Sequence, residues 1–121
     1  MKIAVSSQGK DLTSVVDPRF GRAPFFLIVD TEAGTHTLCE NSQNLNALQG
    51  AGIQAAETVV RQGVSALLTG HCGPKAFRAL TAAGVEVFVN VTGSVGDAVK
   101  KFKKGEYERA ASPDVQGHWN G

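Results

Sequence analysis

The sequence predicts an α/β domain of three layers, α/β/α, built on a five-stranded mixed sheet of order 3-2-1-4-5. Three observations lead there. Short apolar runs, bounded by polar or glycine-containing segments, read as five strands. Segments of helical period lie before the fourth strand, between the fourth and fifth, and after the fifth, so strands one, four and five can run parallel through right-handed helical crossovers. The second and third strands are joined by only a few residues, which makes them a hairpin and makes strand two antiparallel to its neighbours.

Each element has a local reason. Lys2 to Ser6 is a short buried strand, ended by Ser6-Ser7-Gln8-Gly9. A polar stretch then runs to Pro24 and contains Asp17-Pro18-Arg19-Phe20-Gly21-Arg22. It is longer than most connections, and loops of that length tend to be functional. Phe25 to Asp30 and His36 to Glu40 form the hairpin, with Gly34 at a positive-φ position of its loop. Asn41 to Gly50 is a second polar connection. From Ala51 the pattern is helical, with Ile53, Ala56, Val59 and Val60 on one face and Gly63 just past the end. Ser65 to Thr69 is the fourth strand. Gly73-Pro74 opens the next helix, with proline at its first position, Phe77 and Leu80 facing inward and Gly84 at its end. Val85 to Val89 is the fifth strand. Ser94 caps the last helix with Asp97 three residues on, Val95, Val99 and Phe102 fall on one face, and Gly105 stops it. This arrangement is ribonuclease H-like. It places the domain at residues 1–106 and leaves 107–121 as a polar tail with no assigned structure.

Composition narrows the function classes. The 121 residues suit one domain, and 42% hydrophobic content supports a true core. With 12 Lys and Arg against 11 Asp and Glu the net charge is +1, which excludes disorder and nucleic-acid binding by bulk electrostatics. No apolar run approaches the ~18 residues of a membrane span. The N-terminus runs directly into a strand with no signal-peptide pattern. Cys39 and Cys72 lie far apart without C-x-x-C or zinc spacing, so two free thiols in the cytoplasm are expected. Glycine is enriched, at 14 residues, and most of the excess punctuates the elements above.

In an open sheet with parallel strands, ligands bind outside the carboxyl ends of those strands. Three segments arrive there: Ser6-Ser7, Gly70-His71-Cys72-Gly73 running into Pro74, and Asn90-Val91-Thr92-Gly93-Ser94. The last two feed helix N-termini, which hold anions through free N–H groups and the helix dipole. Gly70, Gly73 and Gly93 would admit a ligand close to the backbone. Arg19 and Arg22, flanking Phe20-Gly21, can close above the crevice, with Phe20 and Val91 as apolar walls. Many βα loops carry glycine and a capping serine with no ligand, and two loop arginines equally suit a solvated face. Convergence on one edge is what favours an anion site.

Two enzyme readings compete with it. His71-Cys72-Gly73-Pro74-Lys75-Ala76-Phe77-Arg78 matches H-C-x₅-R, the arrangement by which a low-pKa Cys72 thiolate and an Arg78 clamp would serve a phosphatase. Against it, Pro74 starts the helix within the spacer and removes a donor, and Ala79 stands where a Ser or Thr would assist the leaving thiolate. A two-metal nuclease needs several carboxylates at the strand ends. Asp17, Asp30, Asp97 and Glu57 are scattered, so that reading fails. His36 and Cys39 face opposite sides of their strand, Lys100, Lys101, Lys103 and Lys104 complement a helix C-terminus, and His118-Trp119 lie in the tail.

Several segments together carry a family resemblance. They are Met1-Lys2-Ile3-Ala4-Val5-Ser6, Arg19-Phe20-Gly21-Arg22-Ala23, Gly50-Ala51-Gly52-Ile53-Gln54-Ala55-Ala56, Gly70-His71-Cys72-Gly73-Pro74-Lys75-Ala76-Phe77 and Ala83-Gly84-Val85-Glu86-Val87. From Met1 to about Gly105 the chain resembles the dinitrogenase iron–molybdenum cofactor biosynthesis family. The resemblance implies a ribonuclease H-like fold and a non-enzymatic, monomeric carrier of an anionic metal–sulfide cluster. The implied cargo is a molybdenum–copper sulfide cluster held without covalent links. Related sequences commonly carry uncharged residues where His71-Cys72 stand, so these are either a soft ligand pair, with Cys72 as the candidate metal ligand, or incidental. Family context also suggests an assembly or regulatory module that binds a MinD-type ATPase.

Overall fold

The computed structural model describes residues 1–42 and 50–113. Strands β1 (Lys2–Ser7), β2 (Phe25–Asp30), β3 (His36–Glu40), β4 (Ala66–Leu68) and β5 (Glu86–Phe88) form one sheet, with helices α1 (Ala51–Arg61), α2 (Pro74–Ala82) and α3 (Val95–Lys103). The strand order is β3-β2-β1-β4-β5, as the sequence predicts. β1 pairs antiparallel with β2, from Lys2 opposite Asp30 to Ser7 opposite Phe25, and parallel with β4, Ile3 opposite Ala66. β4 and β5 are parallel, and β2 and β3 close the antiparallel hairpin. β4 and β5 are each shorter than the runs expected from sequence, although Glu86 N–H still donates to Ser65 and Thr69 N–H to Phe88 just beyond them.

The alternation of side chains along the strands builds two cores. Ala4, Phe26, Ile28, Leu67 and Val87 meet Ala55, Ala56 and Val59 of α1 and Ala76, Phe77 and Leu80 of α2 on one face. Ile3, Val5, Leu27, Val29, Ala66, Leu68 and Phe88 meet Val95, Ala98 and Val99 of α3 on the other. One helix is too narrow to cover a face that two helices cover opposite. Val16 and Leu12 of the long loop and Tyr107 of the tail complete that layer, and Phe102 stacks edge-on against Phe88 with ring centroids 5.2 Å apart.

Helix ends follow local chemistry. The glycines expected after the helices, Gly63, Gly84 and Gly105, all take positive φ. Ser94 Oγ accepts the Asp97 N–H at 3.1 Å, whereas α1 and α2 start at Gly50 and Gly73 with no side-chain cap.

The tail differs from expectation at its beginning. Arg109 bridges antiparallel to Phe88, Ala110 N–H donates to Val87 at 2.8 Å, and Arg109 lies 3.5 Å from Glu86. The segment thereby covers part of the outer edge of β5, the kind of exposed edge that otherwise invites pairing with another chain. Polar composition concealed this, because the docking uses main-chain groups. His118 and Trp119, and most of the polar connection before α1, lie outside the described residues. Among the described residues no helix is long and apolar enough to cross a membrane.

Replacing Ser94 with alanine removes the one side-chain N-cap found on the described helices. The expected cost is about 1 kcal/mol of unfolding free energy, read as a lower urea midpoint with unchanged slope.

Candidate functional site

The carboxyl edge of the parallel strands is assembled by the long loop between β1 and β2. After β1 the chain goes out and returns: Gln8 N–H donates to Val15 and Asp17 N–H to Ser6, at 3.0 and 2.9 Å. The excursion lies across the start of α3, where Val95 N–H donates to Ser14 and Gly96 N–H to Leu12. Val16 N–H donates to Gly93 at 2.9 Å. The chain then crosses the β4–α2 connection. His71 N–H donates to Pro18 at 2.8 Å, Phe20 N–H to His71 at 3.3 Å, and Arg19 forms a parallel bridge with His71. Asn90 N–H donates to Gly70 at 2.8 Å and Val91 N–H to Thr69 at 3.1 Å, which ties the β5–α3 connection to the same place. All three segments expected at this edge therefore meet, joined through their backbones.

Side chains divide within that assembly. Ser6 is fully buried; its hydroxyl donates to the Asp17 carbonyl at 2.7 Å and is paired with the Thr69 hydroxyl at 2.8 Å. It fastens the loop to the strands and faces no crevice. Phe20 and Val91, expected as walls, are in the two cores, with Phe20 against Phe26 at a centroid separation of 5.3 Å. Arg19, Arg22, Asn90, Thr92 and Gly93 are exposed, and His71, Pro74 and Ser94 are half-buried. Asn90 has φ +62°, the left-handed region that asparagine tolerates better than most residues.

Gly70 has a different reason from the one its sequence context suggests. A Cβ there would sit 2.5 Å from Pro18 Cα and 2.7 Å from the Pro18 carbonyl oxygen. The close approach is by the protein's own chain. Gly93, by contrast, has open space around the position of a Cβ, and its φ of +88° is what calls for glycine.

The two helix N-termini are not equivalent. At α3 the N–H groups of Val95, Gly96 and Asp97 are taken by Ser14, Leu12 and Ser94. At α2 the cap is Gly73, Pro74 has no N–H, and the first bonded N–H is that of Phe77, which donates to Gly73 at 2.9 Å. Among the described residues the N–H groups of Lys75 and Ala76 have no acceptor. The described chain thus takes up the first donors of α3 and not those of α2, where Lys75 is exposed and Gly73 and Ala76 are buried. Arg19 is held beside that terminus through its bridge to His71, and a 3-10 turn, Phe20–Arg22, carries the chain on to Arg22.

Three contributors escaped sequence reasoning. Lys75, exposed in the first turn of α2, adds a cation, and its place next to a proline at the helix start was the available signal. Asn41 is buried and donates from its side-chain amide to the Ala23 carbonyl at 2.8 Å, bracing the arginine turn. Asp17 is buried beneath the same turn, and Oδ1 accepts the Arg19 N–H at 2.8 Å. Nothing local in the sequence marks the last two.

The thiols are poorly placed for chemistry. Cys72 is fully buried in the core that contains Phe20 and Phe77, while Arg78 is exposed on α2. A phosphatase needs an accessible thiolate facing its arginine, so the H-C-x₅-R match lacks the geometry of that chemistry. Burial pushes the Cys39 thiol up, away from thiolate character. Among the described residues no group of three or more His, Cys, Asp or Glu side chains is placed to hold a metal ion.

This is an α/β domain whose strand-edge site presents backbone donors and cations. The chain belongs to the family described as dinitrogenase iron-molybdenum cofactor, which it matches over residues 1–105. It is similar to the apo form of the orange protein from Desulfovibrio gigas, with 41% identity, a TM-score of 0.89, and 94% of this chain and 96% of that one covered. A structure from Thermotoga, provisionally assigned as a NifB protein of the DUF35 family, has 34% identity and a TM-score of 0.76, covering 94% and 98%. An uncharacterized protein of Methanocaldococcus jannaschii, MJ0580, is 31% identical over 112 residues, 90% of this chain and 91% of that protein.

Gly70→Ala places a methyl group against Pro18 backbone, which cannot yield without breaking the crossing. The expected loss is about 2–3 kcal/mol in urea unfolding, far above that of an alanine substitution at an open position such as Gly50. Equal effects at the two positions would show that the crossing is not tight in solution.

Proposed function

We propose that this protein is a non-enzymatic carrier of an anionic metal–sulfide cluster, with a molybdenum–copper sulfide as its cargo, held mainly without covalent links. The observation that carries the reading is the N-terminus of α2, whose Lys75 and Ala76 N–H groups have no acceptor among the described residues, next to the Arg19–His71 bridge. Unbonded N–H groups, a helix dipole, Arg19 and the exposed Lys75 support an anion site on this backbone-locked edge. Membership of the iron–molybdenum cofactor family and similarity to the orange protein support the choice of a metal–sulfide cargo over another anion.

The residues present suit such a cargo. Sulfide is a large, weakly hydrated acceptor, so its desolvation is less costly than that of a compact oxyanion, and N–H donors and guanidinium groups can meet it together. The Lys75 and Ala76 N–H groups would be the backbone donors, with Gly73 leaving the cap free of side-chain atoms. Arg22 and Arg19 would supply charge from one side and Lys75 from the helix. Asn90, Thr92 and Gly93 would form the opposite rim. Cys72 is enclosed in the core, and in this arrangement it would be a neighbour of the cargo and not its ligand.

The test is direct. Apo-protein mixed with tetrathiomolybdate and a copper salt, then desalted, should elute with a visible chromophore, and a colourless protein would sink the proposal. Arg22→Ala should retain the cluster about fivefold less tightly, on the order of 1 kcal/mol for one exposed charge. Cys72→Ser should keep its colour if it folds. Loss of colour from a folded Cys72→Ser protein would make the thiol a ligand.

A further inference from the structure

The two arginines of the site differ in a way that bears on how tightly a cargo is held. The Asp17 side chain is only 2% exposed, yet its carboxylate has one cationic neighbour among the described residues, Arg19, whose side chain is 54% exposed. Oδ1 accepts the Arg19 backbone N–H at 2.8 Å and lies 3.7 Å from its Nε. The Asp17 carbonyl receives the buried Ser6 hydroxyl, and its own N–H donates to the Ser6 carbonyl, so the residue is fixed to β1 by its main chain. No ion pair takes up Arg22 among the described residues. One guanidinium of the site is therefore shared with an internal anion, and the other is not.

We infer that Asp17 is a positioning residue that sets the hold on the anionic cargo: it aims Arg19 at the α2 edge and competes with the cargo for the same guanidinium. This rests on the carrier reading. A carboxylate buried without its counter-ion is costly, so Arg19 cannot be surrendered wholly to a ligand. It remains divided, and the cargo receives less than a full charge from it. The position of Arg19 and its charge are then controlled by separate parts of one side chain: the Oδ1 contact to the backbone N–H fixes the turn, and the negative charge tempers the guanidinium. A carrier has to release what it binds, and a built-in competitor weakens binding without loosening the loop.

The two parts separate by substitution. Asp17→Asn keeps an Oδ1 acceptor for the Arg19 N–H and removes the charge; Asp17→Ala removes both. Retention of tetrathiomolybdate should rise about tenfold in Asp17→Asn and fall below wild type in Asp17→Ala, with circular dichroism checking that both are folded. Opposite signs distinguish this role from a purely structural one, which would make both variants bind worse. The gain of Asp17→Asn should largely disappear in an Arg19→Ala background. A gain that persists in full there would mean simple repulsion at a distance and would overturn the competition. Exchange of the Arg19 Nε–H with solvent, followed by NMR with no anion present, should be slower than that of Arg22 in wild type and equal to it in Asp17→Asn. Equal exchange in wild type overturns the pairing. If tetrathiomolybdate is retained by none of the proteins, the carrier reading fails and takes the competition with it, while the exchange result still decides whether Asp17 holds Arg19.

Discussion

The passage of Pro18 over Gly70 is the contact on which this strand edge depends. The two segments are distant in sequence, and they meet at a separation that leaves no room for a Cβ. On either side of the contact, main-chain bonds from His71 to Pro18 and from Phe20 to His71 make a short parallel pairing outside the sheet. The crossing is set at its other end by Asp17 and Ser6, whose backbone and hydroxyl bonds continue β1 into the loop. Where these backbone bonds are buried, as at Ser6, Asp17 and Phe20, leaving one unmade would cost the desolvation of a peptide group. The edge is consequently pre-formed, and the cargo proposed for it would have little ordering entropy to offset.

The same loop decides which helix terminus remains available. Its outward excursion satisfies the first donors of α3, and its return stops short of α2, where Lys75 and Ala76 are left without acceptors among the described residues. A single connection thus turns one helix N-terminus into a structural joint and leaves the other next to the Arg19–His71 bridge. In the carrier proposed above, this would also explain how a chain with a net charge of +1 could offer an anion site. The site draws on partial charges of the backbone and on a few local cations, so it leaves hardly a trace in the overall charge.

Most of the fold was legible because its elements are set by local rules. The apolar run from Phe25 to Val29, the proline and glycine around α2, and the serine three residues before Asp97 each specify an element by themselves. The edge was legible as a place for the same reason, since strand ends and helix starts locate it. Its interior was not. Gly70 reads as room for a ligand, and only the folded chain reveals that Pro18 fills that room. Phe20 and Val91 read as walls because a loop carries no periodicity from which an inward-facing side chain can be identified, and both are core residues. The role proposed for Asp17 depends on burial beneath Arg19, and an Asp-Pro-Arg sequence in a polar loop gives no sign of that burial.

The fate of Cys72 follows from the same geometry. The crossing brings Phe20 into the core on the α1 and α2 face, and with it the residues around His71 are drawn against the sheet. The thiol one position on is enclosed with Phe20, Ala76 and Phe77, and the soft donor nearest the edge becomes packing. For a carrier this has a consequence. A metal–thiolate bond would hold a cluster by exchange of its ligands, and release would then require breaking that bond and protonating or replacing the thiolate. In the site proposed above, contacts made by N–H and guanidinium groups would reach the outer sulfides only, so a cluster could enter and leave with its metal–sulfur framework intact. In that proposal the burial of Cys72 and the sharing of Arg19 with Asp17 would act in the same direction: both would keep the hold electrostatic, adjustable and reversible.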